Sequence, residues 1–265
     1  MKERSILVTL GRRLKAPEFV STMADDMAEP SRRFATTRWS LIVAARGNSA
    51  KASEALAVLC ELYWVPVYAF IRRSGVSTED ARDLTQAFFA RVLEKGWFAQ
   101  AEQARGRFRS FLLTAVRHFL ANEFDAAHAQ KRGGGHAPVP FEFEDGESRY
   151  RLEPVDGVTP EDVYERRWAL TVLEAALARV SATYANPARQ QVWLALRPVL
   201  TGEESESYAA KANALGMTEG ALRVALHRLR QLFSKCLREI VAETVERSQD
   251  VDEELRHLLA VLSRR

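Results

Sequence analysis

The chain has few of the residues on which small-molecule chemistry usually depends. Its 265 residues include two cysteines, Cys60 and Cys236, far apart and outside any CxxC pair. That excludes a disulfide framework and a thiolate metal site. Both lie among apolar neighbours at helical spacing and are expected as buried free thiols of a reducing compartment. His118, His128, His136, His227 and His257 do not stand at metal-ligand spacing with Cys, Asp or Glu. There is no Walker loop, no GxSxG and no paired nucleophile and base. The Gly run 133–135 is not followed by a helix with the Lys that phosphate cradling requires, so it reads as linker. No catalytic residue, metal or cofactor is expected, and the chain does not read as an enzyme. Long apolar runs are missing too. LYWVPVYAFI at 62–71 contains Pro66 and is too short to span a bilayer. ILVTL at 6–10 is followed at once by GRRLK, unlike a secretory leader. The expectation is a cytoplasmic protein without membrane insertion. A net charge of only +3 excludes a histone-like polycation.

The charge that is present is unevenly spread. Residues 105–117 are basic, 142–162 acidic, and 223–238 basic again. Such blocks suggest two nucleic-acid-facing surfaces with an anionic spacer between them. At this length one large or two small domains can each bury a core.

Residues 1–33 have weak periodicity and mixed charge and are expected to be a disordered arm. Translation is expected to start at Met23 or Met27, just before the first structured signal; a native peptide beginning at Met1 would exclude this. Order begins near Thr36 and Thr37, where a Thr hydroxyl can cap LIVAAR. A long helix is predicted over 49–73, with Leu56, Leu59, Tyr63, Val67 and Phe70 on one side and Gly75 as its stop. Ser77 and Thr78, followed by Glu79 and Asp80, cap the next helix, which carries Leu84, Phe88, Phe89, Val92 and Leu93. Asp80, Asp83 and Gln86 fall on its exposed side. The 105–111 stretch, RGRFRSF, reads as a basic loop with interleaved rings, the composition that holds single-stranded DNA by phosphate contact and base stacking. The alternative for Phe108 and Phe111 is a core role at the start of a helix. FLLTAVRHFLANEF then continues as a helix.

From 133 to 159 the composition turns to Gly, Pro and acidic residues, a flexible linker. Thr159, Pro160, Glu161 and Asp162 open a second helical domain with a cap and a Pro in the first helical position. Trp168, Leu170, Val172, Leu173, Leu177 and Val180 are its first core residues. At 207–232 comes SYAAKANALGMTEGALRVALHRLRQL. Alanines favour a short helix, Gly216 supplies a left-handed stop, and Thr218 can cap a second helix. Leu222, Leu226, Leu229 and Phe233 define that helix's apolar face, and Arg223, His227, Arg228 and Arg230 fall largely away from it. This is the helix-turn-helix pattern, whose second helix enters the major groove. A last helix, VDEELRHLLAVL, is expected to dock on the second domain. The predicted fold is all-α: an arm (1–33), a helical domain (34–132), a flexible acidic linker (133–159), a second helical domain with the helix-turn-helix (160–244) and a C-terminal helical extension (245–265).

Three stretches occur in a recognisable order: DARDLTQAFFARVL at 80–93, RGRFRSFLLTAVRHFLANEF at 105–124 and LGMTEGALRVALHRLR at 215–230. With TTRWSL, KRGGG, TPEDVYERRWAL and DEELRHLL around them, the chain resembles the extracytoplasmic-function (group IV) sigma factors of bacterial RNA polymerase, in particular a long-linker subgroup. The resemblance covers roughly residues 34 to 262. It implies that Asp80, Asp83, Leu84, Gln86 and Phe89 contact core polymerase, at the β′ clamp, with the β subunit as a further partner. It implies that Arg105, Arg107, Phe108, Arg109, Arg117, His118, Asn122, Lys131 and Arg132 face the -10 element. It also implies that Thr218, Glu219, Arg223, His227, Arg228 and Arg230 face the -35 element. Promoter DNA is then the ligand, and an anti-sigma factor or other regulator is a further partner to look for. Lys211 stands where the resemblance has an apolar residue: either its charge snorkels to water or its helix packs loosely. The competing reading is a stand-alone helix-turn-helix regulator acting as a dimer, with the last helix as dimer surface. The Arg–Phe stretch at 105–111, suited to single strands, argues against it. A nucleic-acid-modifying enzyme is a third reading, opposed by the missing catalytic constellation.

Overall fold

In a computed structural model, residues 38, 39, 42, 50–93, 107–129, 157–202 and 206–264 are described. The 1–33 arm, the 36–37 cap, most of the 133–159 linker, Arg105, Lys131 and Arg132 lie outside them. Eight helices are present among the described residues: α1 (Ala50–Arg73), α2 (Thr78–Leu93), α3 (Phe108–Ala129), α4 (Pro160–Thr183), α5 (Pro187–Thr201), α6 (Tyr208–Ala214), α7 (Glu219–Ala242) and α8 (Asp250–Ser263). The β-type pairing found there is an isolated antiparallel bridge between Arg107 and Val245. The described chain is all-α.

By contact it divides into two compact units. One comprises Phe34–Thr171 with Ala242–Val251; the other, Val172–Val241 with Asp252–Arg265. These contact divisions fall inside α4, at the end of α7 and inside the first turn of α8; the domain bounds expected from sequence are 159 and 244. The physical reason lies in polar contacts within the first unit. Tyr164 Oη donates to the Arg109 carbonyl at 3.0 Å, and Glu165 pairs with the Arg109 guanidinium. The carbonyls of Glu243 and Thr244 accept from the N–H groups of Trp39 (3.1 Å) and Phe108 (2.9 Å).

In the first unit α1 packs against α2 and α3. Its first half buries one stripe, but from Tyr63 to Ile71 every residue except Val65 is buried. A helix apolar on nearly all sides belongs in the middle of a core or in a bilayer. By length and composition α1 could cross a membrane, but 67% of its apolar window is buried inside the protein. Gly75, at φ +91°, ends it in a conformation costly for residues with a Cβ. α2 starts on a reciprocal cap: the Asp80 N–H donates to Ser77 Oγ (3.1 Å), and Ser77 Oγ donates to Asp80 Oδ2 (2.7 Å). α4 repeats the device with Thr159 and Asp162, ahead of Pro160 at its first position. Rings fill the core. Phe108 meets Trp39 and Tyr63, each at 5.0 Å between centroids, and Phe88 meets Phe119 at 5.6 Å.

The second unit buries Val172, Leu173, Leu177 and Val180 of α4, Leu196 and Leu200 of α5, and a row along α7. In α8, Leu255, Leu258, Val261 and Leu262 are buried, as an amphipathic helix requires. Arg238 of α7 pairs with Asp252 of α8 at 2.7 Å, and Arg179 of α4 with Glu239 of α7 at 3.8 Å. Cys60 and Cys236 are free and buried. Burial is the first cause that pushes both thiols above their ordinary range, so neither is a thiolate at neutral pH.

Candidate nucleic-acid interface

The most clearly built surface is the α6–α7 pair. Ser207 caps α6, its Oγ accepting from the Ala210 N–H at 3.2 Å. At the other end the Met217 N–H reaches back to the Ala212 carbonyl (3.0 Å) and the Gly216 N–H to that of Asn213 (3.1 Å). With Gly216 at φ +64° this is a Schellman ending, which satisfies carbonyls the helix would leave orphaned. Four residues after Ala214, Thr218 Oγ1 accepts from the Ala221 N–H at 3.2 Å and starts α7. The turn is thus fixed on both sides by hydrogen bonds that the sequence specifies locally.

On α7, Leu222, Leu226, Leu229 and Phe233 are buried. Arg223, Val224, His227, Arg228 and Gln231 are exposed, and Arg230 is half-buried. The predicted apolar and basic faces are therefore separated as the helical period requires. Arg223 is held rather than waving: its guanidinium pairs with Glu219 at 2.6 Å and lies 5.5 Å from the centre of the Tyr208 ring on α6. The hydrogen bond to Glu219 raises its already high pKa, so the cation is permanent. Lys211 does not simply snorkel to water. It is 7% exposed, and its Nζ stands 3.6 Å from the exposed carboxylate of Glu206.

The 105–111 stretch has a different fate. Its described part is not a loop through Phe111, because α3 begins at Phe108. Phe108 has no exposed surface and sits among Trp39, Tyr63 and Phe111. Arg109, 5% exposed, pairs with Glu165 and lies 4.9 Å from the centre of the Trp168 ring. Arg107 is half-buried, in the bridge to Val245. In this conformation neither Phe108 nor Arg109 reaches a nucleic acid. Both are core groups, the ring for its apolar area and the arginine for a buried ion pair. Further along α3, Arg117, His118 and Asn122 are exposed, within about one and a half turns of each other. Arg117 stands 3.4 Å from Glu161, a surface pair weak enough for a phosphate to displace.

The residues expected to meet core polymerase are also divided. Asp80 and Asp83 are exposed, Leu84 and Gln86 half-buried. Phe89 is buried against Phe88, with ring centroids 5.2 Å apart, and has no face to offer a partner. With Ala81, Thr85, Phe88 and Val92 it forms one buried stripe at helical spacing, so the period places it inside. Glu219, expected on the DNA-facing set, instead holds Arg223, and Tyr208, which sequence reasoning did not single out, lies against the same guanidinium. An i, i+4 Glu–Arg pair was the available signal for the first; no local signal marks the second.

Among the described residues no three His, Cys, Asp or Glu side chains gather as a metal site. Comparison with protein-family models, curated proteins and solved structures returns no match.

Proposed function

We propose that the chain is a promoter-specificity subunit of the extracytoplasmic-function sigma type. In this reading it binds core RNA polymerase in the cytoplasm, directs it to promoters and assists their opening, without catalysing a reaction itself. The α6–α7 pair is its helix-turn-helix, and α7 is the helix that reads duplex DNA. The observation that carries the reading is the capped α7, with one face buried in its unit and a cationic face left open. Its support from sequence is the order of the three resembling stretches. Among the described residues of the first unit, those open to DNA in this reading are Arg117, His118 and Asn122, and those open to polymerase are Asp80, Asp83, Leu84 and Gln86.

A stand-alone regulator gains one argument from the burial of Phe108 and Arg109, which takes two residues from the 105–111 stretch that opposed it. It loses another, because the apolar row of α8 is already buried within one chain and is not available as a dimer surface. Retention of purified bacterial core polymerase on the immobilised protein separates the two. Stable retention with start-site-specific transcripts from a promoter of the protein's own upstream region supports the sigma reading. Duplex binding without any retention of polymerase would transfer the assignment to the regulator.

A further inference from the structure

One side chain on the open face of α7 is not explained by the basic residues around it. Val224 is 50% exposed. It follows Leu222 by two residues, about 200° around the helix, so it stands opposite the buried row rather than at its margin. Valine is a poorer helix former than alanine, and at that place it contributes nothing to the protein's own core. One turn earlier lies Gly220, where an added Cβ would meet nothing within 4 Å. One turn later come His227 and Arg228, both exposed. The centre of the face is thus apolar and low in relief, with Arg223 and Arg228 as cations to either side.

That arrangement matches one feature of a DNA major groove. Among the base edges displayed there, only thymine presents an apolar group, its 5-methyl, and small apolar side chains are what contact it. The flanking arginines suit the phosphate walls, and the bare backbone at Gly220 allows the helix to approach closely. We infer that Val224 selects thymine at one position of the duplex that α7 binds. This rests on the helix-turn-helix reading given above. Arg223 and Arg228 then position the helix without choosing bases, while Val224 discriminates.

The test uses the full chain, with and without core polymerase, and a randomised duplex pool from which bound sequences are selected. The selected duplex is then remade with uracil for thymine one position at a time, which removes only the 5-methyl. For the native protein one such change should weaken binding about three- to fivefold, the worth of one buried methyl group. For V224A, thymine and uracil should bind equally at that position while the other positions are unaffected. The variant is expected to fold, since the site is exposed and alanine favours helix; its unfolding curve checks this. Indifference to uracil everywhere overturns the inference but leaves the helix-turn-helix reading standing. A uracil penalty that persists in V224A shows that another residue reads the methyl and also overturns it. Failure to enrich any sequence overturns the duplex-reading role of α7, and the inference with it.

Discussion

The start of α3 and the start of α7 resemble each other in sequence and differ in use. Each interleaves arginines with large apolar side chains. At α3, Phe108 and Arg109 are buried, the arginine against Glu165 and Trp168. At α7, Arg223, His227 and Arg228 are in the open, and the apolar row is on the other side. The difference is one of partners. α7 buries a single stripe, so its period separates the two kinds of residue. The first turn of α3 is enclosed from several directions by Trp39, Tyr63, Glu165 and the 243–245 segment, so its polar groups are buried along with its rings. An arginine beside a large apolar residue is a charge held in the open in one setting and a core ion pair in the other.

The comparison can be broken most sharply at Phe108. Phe108→Ala should destabilise the first unit by about 3–5 kcal/mol, as for other fully buried aromatics. Urea unfolding would register it as a large drop in midpoint, and binding of polymerase and of DNA should fall together. A stable variant deficient only in promoter opening would return the ring to the single strand. Glu165→Gln comes next. It leaves the buried Arg109 charge without its carboxylate, and about 3 kcal/mol of destabilisation is expected. The double variant with Arg109→Met should recover part of the loss; no recovery would show that the pair is not coupled.

At α7 the same chemistry should leave stability alone. Arg223→Ala with Arg228→Ala is expected to change unfolding by less than about 0.5 kcal/mol. It should lower the slope of log affinity for duplex against log salt by about 2, one unit for each lost phosphate contact. An unchanged slope would mean that this face does not meet DNA. The turn should show a modest effect on stability alone. Thr218→Ala should cost about 1 kcal/mol by uncapping α7. A near-zero change in the thermal midpoint would show that the cap is made by water instead.

Much of this was legible in the chain because it is decided within a few residues. Ser77, Thr159 and Thr218 each sit three residues before the N–H they accept from, and Gly75 and Gly216 adopt the left-handed backbone for which glycine is suited. The apolar faces of α7 and α8 follow from period alone. What period could not show is the number of sides from which a helix is covered. The second half of α1 and the start of α3 are enclosed from several sides, which buries Phe108 and Arg109 together. The grouping of the first half of α4 with the first unit is similarly invisible, since it depends on Tyr164 and Glu165 meeting Arg109 more than fifty residues away.

The sequence by itself therefore determined the helices, their caps and stops, and the separation of faces on α7, because hydrogen bonds and periodicity act over one or two turns. Only the tertiary structure decided which arginines are charges offered to solvent and which are ions sealed in a core. That choice depends on desolvation and on a carboxylate supplied by distant sequence, and neither is encoded next to the arginine.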